Sequence, residues 1–245
     1  MARLISFIMM VFTIVPALAP LLGTGIIELS SWRGIFVAFL VFAFISTTWF
    51  GLRLAEPLPP SARRPFSASA LWLALKEMMA IPMVRNSIYV QIMIFSVLFT
   101  SISLIQPTFD LIFGREEEFA LYFFIIGGFC ATSSLVNATF VMRYGMRAIV
   151  TLAMSVVLGI TALMLVLTVL GSDGPFYFWA YVIWQTSVFY QMGLTVGNLN
   201  ALAMEPLGHI AGLAASVMGA IATILAGIVS TIIAQMFNET TMPQI

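Results

Sequence analysis

Charge is what this sequence has least of. Only 8% of its 245 residues are Asp, Glu, Lys or Arg, ten of each sign, for a net charge of zero. A soluble domain carries about 25% charged residues. With about a third of that, the chain has too little polar surface to coat a water-exposed globule, which excludes a soluble enzyme and a disordered chain. A neutral chain also lacks the basic surface that nucleic acid requires. Cys130 is the only cysteine and His209 the only histidine. An internal disulfide and a zinc cluster of several cysteines or histidines are therefore excluded, and no metal or cofactor is expected. Lys76 is the only lysine and lies between apolar runs, so no span carries a retinal-type lysine.

What fills the chain is apolar. The hydrophobic set makes up 61% of residues and the mean hydropathy is +1.07. A membrane-spanning helix needs about 20 mostly apolar residues to cross a hydrocarbon core about 30 Å thick. Seven such runs are predicted, at roughly 4–27, 34–54, 86–109, 119–142, 147–170, 175–199 and 209–237. They are continuous rather than alternating, which rejects a membrane β-barrel. The fold class expected is an all-α polytopic bundle of about seven spans in the lipid bilayer. The start of the chain mimics a secretory signal, with Arg3, an apolar run and Ala17-Leu18-Ala19. Pro20 and the apolar run continuing to Ile27 favour a retained span instead.

The charges sort by side. With the N-terminus in the cytoplasm, cytoplasmic segments hold Arg3, Arg53, Arg63, Arg64, Lys76, Arg85, Arg143 and Arg147, eight of the ten basic residues; Arg33 and Arg115 fall outside. Lys and Arg concentrate on the cytoplasmic side of short loops. The expected orientation is N-terminus in and C-terminus out. Three domains follow: two spans in 1–54, a cytoplasmic connection at 55–85, and five spans in 86–245. The connection opens with Pro57, Pro59, Pro60, Arg63, Arg64 and Pro65, which bar a helix. Phe66, Leu71, Trp72, Leu75 and Met79 then recur at near-helical spacing beside Lys76 and Glu77, predicting a short amphipathic helix on the membrane surface.

Several motifs stand inside this frame. Pro16-Ala17-Leu18-Ala19-Pro20-Leu21-Leu22-Gly23-Thr24-Gly25 places two prolines four apart, which bends a helix, and two glycines that admit a close neighbour. Ser31-Trp32-Arg33-Gly34-Ile35-Phe36 opens the second span. Gln106-Pro107-Thr108-Phe109 ends the third, with Phe113-Gly114 after it. Arg143-Tyr144-Gly145-Met146-Arg147 makes a tight loop, and Ala211-Gly212-Leu213-Ala214-Ala215-Ser216 opens the last span. Together with the proline- and arginine-rich connection, these resemble, in order, motifs of the major facilitator superfamily. The Ala-Pro-Leu-Leu-Gly form of the first resembles the fifth-helix motif of bicyclomycin-resistance-type drug/proton antiporters. Gln106 departs from that family's pattern, which has serine there.

The resemblance covers helices five to eleven of a twelve-helix family. It implies a partial major facilitator fold and a chain that is a fragment or truncated product of a longer frame. It implies small-molecule substrate and protons as partners of the full-length protein, in a bacterial inner membrane. It implies a substrate cavity lined by helices one, two, four, five, seven, eight, ten and eleven. Gln91, Gln106, Asn137, Gln185 and Gln191 fall on spans matching seven, eight and ten, and are the candidate substrate-binding residues. Pro16, Pro20, Gly23 and Gly25 become the antiporter bend, and Arg143, Gly145 and Arg147 a cytoplasmic loop gate. No ionisable residue lies mid-span, so the proton-carrying carboxylate is expected in the helices preceding this portion. Two other readings stay open. A non-transporting truncated membrane protein fits the apparent fragment. A seven-helix receptor or membrane enzyme predicts intramembrane acid, base or metal clusters, which the spans lack.

Overall fold

The computed structural model describes residues 18–54 and 67–245. Pro16, Arg3 and the proline- and arginine-rich stretch 57–65 lie outside the described residues. Among those described there are helices and turns but no strand, as unbroken apolar runs require where backbone groups must pair within their own segment. A short apolar helix, α1 (Leu18–Leu29), leads into α2 (Trp32–Arg53). The amphipathic helix is α3 (Ala68–Ala80), capped by Ser67, whose hydroxyl accepts from the Ala70 amide. Five long helices follow: α4 (Pro82–Pro107), α5 (Phe119–Tyr144), α6 (Met146–Val169), α7 (Gly174–Met204) and α8 (Ala211–Gln235). At 1.5 Å per residue, each of these and α2 is long enough to cross a bilayer.

Two of the sequence boundaries shift for physical reasons. Pro107 cannot donate to the helical ladder, and the chain continues beyond it as a π-helical turn, Thr108–Ile112, before Gly114 breaks it at φ +62°. The last two spans form one continuous 62-residue helical stretch, Gly174–Gln235, interrupted by a 3-10 segment with non-helical backbone at Leu207. That length is about three times what one crossing needs, and the contacts show a hairpin. Tyr177, at the start of α7, hydrogen-bonds Thr241, beyond the end of α8.

The same logic orders the other helices. Met78, Val84, Ile88, Ala203, Leu207, Ala214 and Met218 pack as one cluster, so the end of α3, the start of α4, the end of α7 and the start of α8 share one end of the bundle. Arg147 touches Met83, which brings the α5–α6 turn to that end as well. The opposite end gathers Phe109, Phe113, Phe119, Tyr122, Phe178 and Tyr181, whose rings pack edge-to-face or tilted against one another. The helices therefore alternate up and down. Lys76, Arg85, Arg143 and Arg147 collect at one end, while Asp110, Arg115, Glu116, Glu117, Glu118 and Asp173 collect at the other. Within α4–α8, α7 is the centre: it packs on α4, α5 and α6, and α4 also carries α8.

The α1–α2 hairpin is tight. A Cβ on Gly34 would fall 2.1 Å from the Ser30 Oγ and 3.1 Å from Ile26, which gives the glycine of the Trp-Arg-Gly run a steric role. By contrast, α2 has no buried residue, and a Cβ at Gly23 or Gly25 would meet nothing within 4 Å. Any helix that presses on those two glycines is not among the described residues. Phe36, Phe39, Leu40, Phe42 and Phe44 leave the middle of α2 with an apolar surface, which suits lipid or a facing helix.

Candidate functional site

The buried polar groups form two clusters along α7. At the aromatic end, the Gln185 amide donates to the Tyr181 hydroxyl at 2.9 Å, and Tyr181 donates to the Gln244 carbonyl at 3.2 Å. The Gln244 amide then donates to the Thr108 hydroxyl at 2.7 Å, and Thr108 donates to the Leu104 carbonyl at 2.7 Å. The short turn Met242–Gln244 thus folds back over the bundle and ties α4 to α7. The Leu104 carbonyl accepts from both the backbone N–H and the hydroxyl of Thr108, so Thr108 anchors the end of α4 and joins the network.

The second cluster lies nearer the basic end. The Gln91 amide reaches the Asn200 carbonyl at 3.4 Å, joining α4 to α7. The Asn198 amide donates to the Asn137 carbonyl at 2.7 Å and to the Leu194 backbone carbonyl at 2.8 Å. Cys130 points its thiol at the Thr186 carbonyl, 3.7 Å away, on the same α5–α7 seam. Between those two contacts the helices touch. A Cβ on Gly193 would fall 1.8 Å from the Ser133 Oγ and 2.9 Å from its Cβ.

The five candidate binding residues therefore occupy different environments. Gln91, Gln185 and Gln191 are buried, at 2%, 0% and 3% exposure. Asn137 is half-buried and its carbonyl is taken by Asn198. Gln106 alone is exposed, on the side of α4 turned away from its buried face. The structure brings Gln91 and Asn137 to the α7 seam and Gln185 to the tyrosine network, and leaves Gln106 apart from all of them. The carbonyl oxygens of Gln91, Gln185 and Gln191, with the hydroxyls of Thr100 and Ser101, are buried without a hydrogen-bond partner among the described residues. Each such group costs about 1–3 kcal/mol if nothing meets it. Tyr181, Gln244 and Thr108 were not legible as site residues. Gln244 lies beyond the last apolar run, and the four-residue spacing of Tyr181 and Gln185 is the one signal that could have paired them.

Gly145 links α5 directly to α6 at φ +82°, ψ 157°, a backbone conformation that only glycine takes freely. Arg143 and Arg147 flank it, both exposed. Arg143 lies over the Tyr144 ring at 5.3 Å, and Arg147 reaches the Met83 sulfur. No group of three or more Cys, His, Asp or Glu able to hold a metal is found among the described residues. A larger apolar groove, about 1030 Å³, opens between α5 and α6 with α7 as its floor, and Gln191 is on its wall.

Comparison with known proteins bears on this arrangement. The family model of the Major Facilitator Superfamily matches residues 1–231. An uncharacterized MFS-type transporter, YdgK, of Bacillus subtilis (strain 168) is 26% identical over 254 residues, covering 98% of this chain and 59% of the relative. The chain thus spans about three-fifths of the length of that relative. No solved structure matches the chain. An all-α bundle with charges confined to its ends, six motifs in order, and a family match over nearly the whole length lead to one assignment: the chain belongs to the major facilitator superfamily.

Proposed function

We propose that this chain forms helices five to eleven of a secondary active transporter, an efflux antiporter that exchanges a drug or small solute for protons by alternating access. The observation that carries the reading is the family match over residues 1–231 on a chain whose described helices hold no charge in their middles. The Pro20, Gly23 and Gly25 run supports the antiporter type, since its glycines lie open for a facing helix. The chain lies with its arginine-rich end in the cytoplasm of a bacterial inner membrane. Protons are carried by residues of the full-length protein outside this portion.

Burial divides the work among the polar candidates. A side chain facing a cavity between two bundles is left uncovered by its own bundle. Gln106 meets that condition, so it lines the substrate path, and Gln191 contributes from the groove wall. Gln91 and Asn137 stiffen the bundle through interhelical hydrogen bonds, each contributing about 0.6–2 kcal/mol, and Gln185 holds Tyr181 from within α7. Arg143, Gly145 and Arg147 hold the cytoplasmic ends of α5 and α6 as the bundle rocks. The test is resistance conferred by the full-length frame in an efflux-deficient strain, with and without Gln106→Ala. Altered resistance to at least one compound, with membrane abundance unchanged, is expected. Intact transport of every exported compound in Gln106→Ala overturns the lining assignment.

A second reading is favoured by one observation. Because α2 has no buried residue, it stands unpacked among the described residues. On this reading the chain is a non-transporting membrane protein. Reconstituting it alone and detecting substrate-driven proton movement would refute this reading.

A further inference from the structure

The transport reading leaves the chemistry of α3 unused. Ala74 and Met78 bury one face of this helix on α4 and α8. Trp72, Leu75, Lys76 and Met79, three and four residues apart, form the adjoining face. That face roofs a groove of about 340 Å³, whose walls are Ile88 and Ile92 of α4 and Ile221 and Leu225 of α8. Ile92 lies ten residues into α4 and Leu225 fourteen residues past the start of α8. At 1.5 Å per residue the groove reaches about 15–20 Å into the membrane from the helix ends. A groove walled by Ile88, Ile92, Ile221 and Leu225 and running along α4 and α8 has the shape of an acyl chain.

Its mouth is basic. Lys76 is on the lining itself. Arg85 precedes Ile88, Tyr89 and Ile92 by three, four and seven residues, so it lies on the groove side of α4 at the mouth. Its guanidinium donates to the carbonyl of Met79, a lining residue, at 3.4 Å. The neighbouring carboxylate does not neutralise them: Glu77 contacts His209 at 2.9 Å on the other side of α3. Neither Lys76 nor Arg85 has a carboxylate partner among the described residues. Trp72, 66% exposed, supplies the amphipathic ring that settles at a headgroup boundary.

We propose that this groove is a binding site for an anionic glycerophospholipid, with one acyl chain between α3, α4 and α8 and its phosphate between Lys76 and Arg85. Basic pockets between helices at the cytoplasmic side have this preference for anionic lipid. The site would pin the central-loop helix to the start of α4, so the lipid becomes part of the joint between the two halves of the chain.

The experiment uses the full chain purified in neutral detergent and equilibrated with equal phosphatidylglycerol and phosphatidylcholine, with retained lipid read by native mass spectrometry. Phosphatidylglycerol is expected to be retained preferentially. Lys76→Gln and Arg85→Gln should each lower its retention about fivefold, and the pair about thirtyfold, while Lys76→Arg keeps it. Leu225→Phe preserves both charges but fills the groove, and should also reduce retention. Arg53→Gln, a basic helix end away from α3, should not. Equal retention of the two lipids by the unmodified chain overturns the proposal. So does wild-type retention in the Lys76→Gln/Arg85→Gln pair or in Leu225→Phe, or a loss in Arg53→Gln equal to that in Lys76→Gln.

Discussion

The close approach of Gly193 of α7 to Ser133 of α5 gives the sharpest test of the packing. Gly193→Ala introduces one methyl group. It would sit 1.8 Å from the Ser133 Oγ, which rotation could relieve at the cost of the Ser133 bond to the Cys130 carbonyl, 2.6 Å. It would also sit 2.9 Å from the Ser133 Cβ, which no rotation moves, so the helices must part. Overpacking of this kind costs about 1–3 kcal/mol. Against this, Gly→Ala inside a helix is worth about 0.5–1 kcal/mol of stability. Gly197, one turn further along α7, separates the two effects, because a Cβ there meets nothing within 4 Å. The difference between Gly193→Ala and Gly197→Ala is therefore the clash alone, about 1–3 kcal/mol. For a chain of this size it corresponds to a gap of about 2–12 °C in Tm, read by thermal unfolding in detergent. Adding Ser133→Gly to Gly193→Ala should close most of the gap. Equal Tm values for Gly193→Ala and Gly197→Ala would refute the crossing, as would failure of the Ser133→Gly rescue.

Further outcomes follow from other positions. Gly145→Ala meets no atom within 4 Å but must hold φ +82°, so it should lower stability by about 1–3 kcal/mol through backbone strain alone, seen as a lower Tm that no neighbouring substitution restores. A double-mutant cycle on Asn137→Ala and Asn198→Ala should return a coupling near 0.6 and below about 1.7 kcal/mol; zero coupling would mean the bond is not made. Lipid retention at Lys76 and Arg85 and resistance with Gln106→Ala are tested as described above.

The spans were legible because a bilayer imposes one rule on every helix: about 20 apolar residues without charge. The runs predicted at 119–142 and 147–170 meet α5 and α6 within a few residues. The amphipathic helix was legible from Trp72, Leu75, Lys76 and Met79, whose period survives in α3. What periodicity does not carry is depth within the bundle. In a chain that is apolar on all sides, the buried and exposed sides of α4 and α7 look alike in sequence, so Gln106 on α4 and Gln185 on α7 read alike. The return of Gln244 onto Thr108 joins residues 136 apart in sequence, with no local pattern to announce it.

This loss of amphipathic signal also explains how the bundle is held. Lipid tails are as apolar as leucine, so burial of Ile or Phe does not by itself choose which helix faces which. Register along α5–α7 must come from features that lipid cannot supply: the methyl-free contact at Gly193, the Asn137–Asn198 hydrogen bond, and the Cys130 approach to the Thr186 carbonyl. They are spaced along both helices in the same order, so they fix the two helices as a parallel pair. A shift of one residue along the seam would lose all three at once. For a transporter that rocks its bundles as rigid bodies, such a seam keeps motion between bundles rather than within one. The outward Gln106 can then change its surroundings while the Gln185–Tyr181–Gln244–Thr108 network keeps its own.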